Sequence, residues 1–232
     1  FFANARGLGK EQFVHNLWGG TIGGPIVRNR AFFFSAFEGT NSRLRGIERA
    51  TVPSDAVRTP IVDHPLSLAK DPAVNSLISK VFALLPPCSS PGPSCEFTSL
   101  QRSLSDIYMV TAKLDYIITG KDTLSGRMIV RTGDTSSSSI LPSAVRIGEG
   151  TVGNIAATYR RLFTPKVVNE AIFTINTVED ESLVPNAVLP DVNISGFSGI
   201  GAPSNWPQGT SQRYYQIVDN LSLNVSSHNF KA

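Results

Sequence analysis

The residues that could do chemistry are few in this sequence, and they lie far apart. His15, His64 and His228 have no second ligand at the spacing of a metal site. The glycine-rich run at 19–24 lacks the Lys-Ser/Thr pair of a phosphate-binding loop, and neither a G-x-S-x-G elbow nor a paired His/Asp arrangement occurs. We therefore expect no catalytic residue, no metal and no cofactor, and we do not expect an enzyme.

The two cysteines, Cys88 and Cys95, lie together in a short Pro/Ser-rich run at 86–95. Their proximity favours a local disulfide that forms in an oxidising compartment. Two free thiols are the alternative.

The composition is poor in charge. Charged residues make up 17% of the chain, whereas about 25% is usual for a soluble domain. The net charge of +3 comes from 21 basic and 18 acidic residues spread along the chain, so nucleic acid is not an expected partner. The longest apolar runs, such as 31–34 and 81–85, are far shorter than the ~20 residues of a membrane helix. Any passage through a membrane must therefore use strands.

The clearest strand pattern runs from Ile107 to Ile118, where apolar and polar residues alternate. Tyr108 and Tyr116 lie near the two ends of its apolar face, as expected of aromatic girdles at two membrane interfaces. A strand of a soluble sandwich is the alternative. Similar hairpins are expected at about 13–50, 106–132, 153–178 and 211–232, with tight turns at Arg28-Asn29, Gly120-Lys121, Pro165-Lys166 and Ser227-His228.

Long connections rich in Ser, Pro and Gly separate these hairpins. Short turns thus alternate with long loops, which is the layout of an outer-membrane barrel with short periplasmic turns and long extracellular loops. The expected long loops are about 51–105, 133–152 and 179–210.

The first long loop contains a helical pattern over residues 72–85. Asp71 is a plausible N-cap, and Pro72 suits the first helical position. We expect a short helix there, packed on the loop itself or on the neighbouring rim of the sheet.

One segment resembles a known family. Phe13-Val-His-Asn-Leu-Trp-Gly-Gly-Thr-Ile-Gly-Gly-Pro-Ile-Val-Arg-Asn-Arg-Ala-Phe-Phe-Phe34 is similar to the start of the barrel in Oar-like TonB-dependent outer-membrane transporters. In that group a motif of the form N-x-x-G-G-T-x-G-G-P-I precedes a basic turn and F-F-F. Further matches follow in family order at Glu38-Gly39, Ala50-Thr-Val-Pro53, Leu84-Leu-Pro86, Lys113-Leu-Asp115, Gly126-Arg127, Leu162 to Glu170 and Asp219-Asn-Leu-Ser222.

The resemblance implies a signal peptide, a plug and a barrel of about 22 strands with a plugged lumen. This chain would be the early part of the barrel wall. The plug and the TonB-engaging segment are not visible in it, and we expect both of its ends to be cuts from a longer protein.

Charged residues on the strands are candidates for the barrel lumen, because a charge that faces lipid costs about 2–4 kcal/mol at the bilayer midplane. They would pair with the plug or with one another, or contact the substrate. In the loops, Phe197 and Trp206 are candidate ligand contacts, with anchoring of a rigid loop as the alternative. The lumen candidates are Lys113, Asp115, Arg127, Arg131 and Arg160.

The opposite, lipid-facing side of the wall should be apolar, and the lumen side more polar. The residues expected on the lipid-facing side are Tyr108, Val110, Leu114, Tyr116, Tyr159, Phe173, Ile175, Leu221 and Leu223.

The sequence thus predicts an all-β fold: a partial transmembrane antiparallel β-barrel of about seven or eight strands in up-and-down hairpins, with long extracellular loops and one short loop helix. Residues 1–232 would be a fragment of one barrel domain. The resemblance implies transport across the bacterial outer membrane with energy supplied through TonB. Its partners would be the lipid bilayer, the plug of the same full-length chain, TonB, and an imported or exported substrate of unknown identity. A soluble extracellular β-sandwich or an adhesin-like surface binding protein is the alternative.

Overall fold

The computed structural model describes residue 7 and residues 10–58, 72–138, 145–185, 189–225 and 228–232. Within these residues the chain forms eight strands, a helix of 13 residues, α1 (Pro72–Leu84), and a helical turn at residues 55–58. The strands are β1 (Gln12–Val27), β2 (Ala31–Pro53), β3 (Ser94–Ile117), β4 (Asp122–Ser137), β5 (Arg146–Thr164), β6 (Val167–Leu183), β7 (Gln208–Val225) and β8 (His228–Lys231).

All eight strands belong to one sheet, and each is antiparallel to the next along the chain. The sheet does not close on itself, so β1 and β8 are its two edges. A sandwich needs two sheets packed face to face. The expectation of an all-β, up-and-down sheet is therefore confirmed, and the sandwich alternative is wrong.

The short turns lie at one end of the sheet. Three backbone hydrogen bonds link successive turns to the next strand pair: Ile117 N–H to Arg30 O (2.7 Å), Leu162 N–H to Lys121 O (2.8 Å) and Asn224 N–H to Lys166 O (2.8 Å). The first turn places Asn29 in the left-handed region at φ 60°, which Asn tolerates better than most residues. The predicted sidedness is confirmed for these three turns. Of the fourth predicted turn, Ser227 lies outside the described residues and His228 pairs with Val225 as the first residue of β8.

The strands extend further from the turns than the sequence predicted. β3 begins at Ser94 rather than near 106, β4 reaches Ser137, and β5 starts at Arg146. The loops expected at about 51–105, 133–152 and 179–210 are correspondingly shorter. The prediction was wrong there because these extensions carry Ser, Thr and charged residues on both faces, which removes the apolar-polar alternation that marks a strand.

The register divides the side chains between two faces. What we call the apolar face contains all nine residues expected on the lipid side, and what we call the polar face contains all five lumen candidates. Opposed pairs keep the division from strand to strand: Tyr116 opposes Leu124, whereas Lys113 opposes Arg127. This regularity follows from the period of two along every strand.

The polar face is less polar on β1 and β2 than the sequence predicted. Phe32, Phe34 and Leu17 point to that face, and all three are exposed. The reason is local, because the run of three phenylalanines at 32–34 must place aromatic rings on both sides of β2. Opposite Phe34 stands Gly23, where an added Cβ would lie 3.3 Å from the Phe34 ring.

The largest buried apolar cluster lies beyond the sheet's long-loop end, in a unit that we call the rim cap. It is built from the ends of β2 and β3, from α1, and from the loop segments 85–93 and 189–200. Val52 and Val81 are 1% and 0% exposed, and Leu77 and Ile78 of α1 pack against this cluster. The predicted helix is confirmed, and it packs on both surfaces that the sequence left open, the rim and the loops. Asp71, the expected N-cap, lies outside the described residues.

None of the described helices is long and apolar enough to cross a membrane.

Candidate functional site

Charged and amide side chains of the polar face form three separate hydrogen-bonded groups across four strands, which together we call the polar track. At one end, Lys113 Nζ lies 2.8 Å from Asp115 Oδ2 on β3, and the Ser125 hydroxyl of β4 donates to Asp115 Oδ1 at 2.7 Å. The carboxylate therefore accepts from both strands. Two of the five lumen candidates pair with each other here.

The middle of the track joins β4, β5 and β6. Arg127 donates to Asn154 Oδ1 at 3.2 Å, and the Asn154 amide donates to Asn176 Oδ1 at 2.6 Å. Neither asparagine was identified from the sequence. The signal that could have found them is strand parity, because each stands on the same side of its strand as a predicted lumen residue.

Arg160 forms the far end of the track. Its Nε and one terminal nitrogen both donate to Glu170 Oε2, at 3.1 and 2.8 Å, and the two residues are directly opposed on β5 and β6. Glu170 was also missed as a site residue. An opposed pair of opposite charge stabilises the register of its two strands.

Arg131 differs from the other four candidates. It is exposed on the polar face, where Met109 and Val152 stand opposite it on the neighbouring strands. Among the residues that the structure describes, its guanidinium has no ion pair or hydrogen bond. It lines a recess of about 400 Å³ near the long-loop end, together with Gly133, Gly150 and Asp180. Arg131 is thus available to an anionic group.

The apolar face is bounded at its long-loop end by aromatic rings. Trp18, Phe37 and Tyr108 are in mutual contact, with ring centroids 5.2 to 6.4 Å apart. The Trp18 ring covers Gly39, where an added Cβ would lie 2.5 Å from two of its carbons. The indole N–H donates to Asn41 Oδ1 at 2.9 Å, away from the apolar residues. This is the orientation expected of a tryptophan at an interface between lipid and water.

Beyond these rings the apolar face becomes charged. Two terminal nitrogens of Arg43 donate to the two carboxylate oxygens of Asp106, both at 2.7 Å, and Asn41 donates to the same carboxylate at 2.6 Å. The hydrogen bonds from Arg43 and Asn41 hold the pKa of Asp106 below its ordinary value. On β3 the side chains of this face thus change from aromatic to ionic within two residues, from Tyr108 to Asp106.

The turn end of the same face repeats this order. Tyr159 donates its hydroxyl hydrogen to Asp122 Oδ1 at 2.7 Å, and Arg161 lies 3.3 Å from the same oxygen. Along β3, Tyr108 and Tyr116 are eight residues apart, or about 26 Å along the strand. The apolar band therefore has aromatic and then charged side chains at both of its limits.

The band crosses the hydrogen-bonded rows at an angle. The row that begins at Tyr108 passes through threonines on β4 and β5 and reaches Glu179 on β6. The apolar-face tyrosine of β7, Tyr215, instead opposes Ile175, four residue pairs nearer the short turns. Strands that tilt by about 35–45° to a bilayer require such a drift.

The two loop aromatics are not brought to a common site by any described contact. Phe197 is half-buried, and its backbone N–H donates to Ile194 O at 3.1 Å. Trp206 is also half-buried, and the Arg146 guanidinium lies 5.9 Å from its ring centroid. Their role in ligand contact stays a prediction.

A disulfide and the hydrogen bonds of one arginine cross-link the segments of the rim cap. Cys88 and Cys95 are joined, with Cα atoms 6.0 Å apart, and Cys95 stands opposite Val52. Arg58 donates to Pro53 O at 3.1 Å and to Pro86 O at 2.7 Å, while its third nitrogen lies 3.1 Å from Asp55. These contacts join the start and the end of the first long loop.

Within the described ranges, no group of three or more His, Cys, Asp or Glu side chains has the geometry of a metal site.

Of three comparisons with known proteins, two find matches that agree with this geometry and one finds no match. No curated protein matches the chain. Among solved structures, the closed form of the ferric-catecholate import receptor Fiu from E. coli K12 is similar, with a TM-score of 0.53 and 8% sequence identity. The match covers 94% of this chain and 32% of Fiu, so the chain spans about a third of that receptor's length. The family described as "Outer membrane beta barrel domain" matches over residues 1–232. The chain belongs to this family of outer-membrane β-barrel domains, and its location is the bacterial outer membrane.

Proposed function

We propose that this chain is part of the barrel wall of a TonB-dependent transporter of the Oar-like group. The full-length protein would move a substrate across the outer membrane with energy supplied through TonB. The observation that carries the proposal is the polar face, which has paired charged and amide groups and, among the described residues, an unpaired cation at Arg131, on the side of the sheet opposite a lipid-facing apolar band.

The polar track supports a filled lumen. In a closed barrel this face is interior, and an interior charge needs a partner. Lys113, Asp115 and Arg160 already have partners on the wall, so we assign them to wall structure rather than to substrate contact. Arg131 would then serve the plug or an anionic group of the substrate.

Fiu supports the class of protein. Its fold is similar over nearly the whole of this chain, and it is a ferric-catecholate import receptor. The Oar-like assignment is carried separately, by the motif at 16–34. We propose no enzymatic activity for the chain, because its sequence has none of the catalytic motifs sought above.

The test uses the full-length protein in cells with and without functional TonB. Uptake is measured for three probes of different chemistry: a ferric catecholate, an oligosaccharide and a peptide. We expect one of them to enter only when TonB is present. Arg131→Gln should raise the half-saturating concentration of an anionic probe, whereas Lys121→Gln at a short turn is a matched control that should not.

An adhesin-like barrel without transport is the second candidate, and the rim cap favours it because a folded unit at the rim could bind an external partner. The adhesin would be supported, and the transporter overturned, by two results together. Uptake of each of the three probes would be the same with and without functional TonB, and the purified TonB C-terminal domain would not bind.

A further inference from the structure

On the apolar face, beyond the aromatic rings, two arginines stand directly opposite each other. Arg45 of β2 and Arg102 of β3 are register partners, and both are exposed. We call them the arginine pair. Opposed residues on adjacent antiparallel strands have Cβ atoms about 4.5–5.5 Å apart, and two like charges at that distance destabilise the pairing. An anion between the two guanidinium groups would remove this cost.

The chain itself does not supply that anion within the described residues. Neither guanidinium has an ion pair or a side-chain hydrogen bond there. The residue opposite Arg45 on β1 is the neutral Gln12. On the same face, Asp106 is two side-chain positions nearer the apolar band, and Arg43 donates to both of its carboxylate oxygens.

Two other carboxylates near the arginine pair already have partners. Glu11 Oε1 accepts from the Ile47 backbone N–H at 2.9 Å, and Glu96 lies 3.4 Å from Arg49. The arginine pair therefore carries two positive charges with no ion-pair partner among the described residues, four residue pairs beyond the carboxylate row of Asp106, Asp134, Glu149 and Glu181.

Its depth in the membrane identifies the anion. Arg102 is six residues beyond Tyr108, about 20 Å along the strand and about 15 Å along the membrane normal after strand tilt. An extended arginine side chain covers about 6 Å of that height, which brings its guanidinium to about 9 Å above the level of Tyr108, at the outer side of the headgroup layer. The long-loop end is extracellular, and outer-leaflet lipids of bacterial outer membranes carry phosphorylated sugar headgroups.

We propose that Arg45 and Arg102 bind a phosphate group of an outer-leaflet glycolipid. Each planar guanidinium can donate two parallel hydrogen bonds to phosphate oxygens, and two of them on one face can hold a single phosphate. This inference depends on the location in the outer membrane and is independent of the proposed transport.

The experiment measures lipid binding by the full-length protein in detergent, with native mass spectrometry as the readout. The probe is bis-phosphorylated lipid A, compared with the same lipid after removal of both phosphates. We expect Arg45→Gln/Arg102→Gln to weaken binding of the phosphorylated lipid about 10-fold or more. The dephosphorylated lipid should bind weakly to every variant.

The matched control is Arg28→Gln/Arg30→Gln, which removes the same charge at the short-turn end and should change binding less than about 2-fold. Heat-modifiable migration on gels checks that each barrel is folded. If the double glutamine variant does not fold, Arg45→Lys/Arg102→Lys keeps the charge but loses the forked donors, and it should still bind several-fold more weakly.

Unchanged lipid binding in a folded double variant would overturn the proposal, as would an equal loss in the control. Wild-type protein that binds inorganic phosphate as tightly as it binds lipid A would also overturn it, because the site would then serve a soluble anion.

Discussion

The wall of the sheet and the rim cap treat apolar side chains in opposite ways. On the wall, Leu114 and Ile217 are 56% and 80% exposed, and they face away from any described part of the chain. In the rim cap, Val52 and Val81 are almost fully buried, and a disulfide closes the unit. The difference shows that one chain is adapted to two solvents. The apolar surface of the wall is stable in contact with lipid, whereas the rim cap is in water and therefore buries its apolar side chains.

The largest effect is expected inside the rim cap. Phe82→Ala removes a side chain that is 6% exposed and should cost the cap about 3–5 kcal/mol. Leu84→Ala on the same helix is the matched control, because Leu84 is 45% exposed. Hydrogen exchange of the full-length protein should show faster exchange in residues 72–97 for Phe82→Ala only. Equal exchange in the two variants would contradict a separately packed cap.

A charge on the lipid-facing wall should have the next largest effect. Leu114→Arg places a cation within the apolar band, at an expected cost of about 2–4 kcal/mol to the folded barrel. Thr174→Arg on the polar face is the control and should cost much less. Urea unfolding in lipid vesicles measures both. A larger loss for Thr174→Arg would reverse our assignment of the two faces.

Removal of the disulfide should loosen the cap and leave the wall intact. Cys88→Ser/Cys95→Ser should lower the cap's local stability by about 2–3 kcal/mol, because the closed loop is short. Limited proteolysis should then cut the cap, while the barrel keeps its heat-modifiable migration. Alkylation of both thiols in wild-type protein without reductant would show that the bond is not formed in cells.

The smallest effect is expected at the boundary between the two solvents. Gly39→Ala would place a Cβ against the Trp18 ring and should tilt the indole away from Asn41, at a cost of about 1–3 kcal/mol. Gly20→Ala is the control, since its Cβ would meet nothing within 4 Å. The fluorescence of Trp18 in the full-length protein, obtained by subtracting the spectrum of a Trp18→Phe variant, should shift to longer wavelength for Gly39→Ala alone. Identical spectra would mean that the indole does not depend on this contact.

The sequence by itself determined which side chains share a face. Alternation is a local property, so Lys113 and Asp115 could be separated from Tyr108 and Tyr116 without knowledge of any neighbouring strand. The tight turns were equally local, because Asn29 and Pro165 limit their own backbone angles.

Only the tertiary structure decided which side chains on neighbouring strands contact each other. Arg160 meets Glu170 because the turn and a register shift near Leu162 set the pairing of β5 with β6, and Arg127 meets Asn154 because the separate register of β4 with β5 brings them together. The rim cap depends on more distant contacts still: the Thr51 N–H donates to the Ser198 hydroxyl, 147 residues further along the chain. No local pattern encodes such a pair, because its formation depends on where the four intervening strands place the end of β2 and the loop before β7 in space.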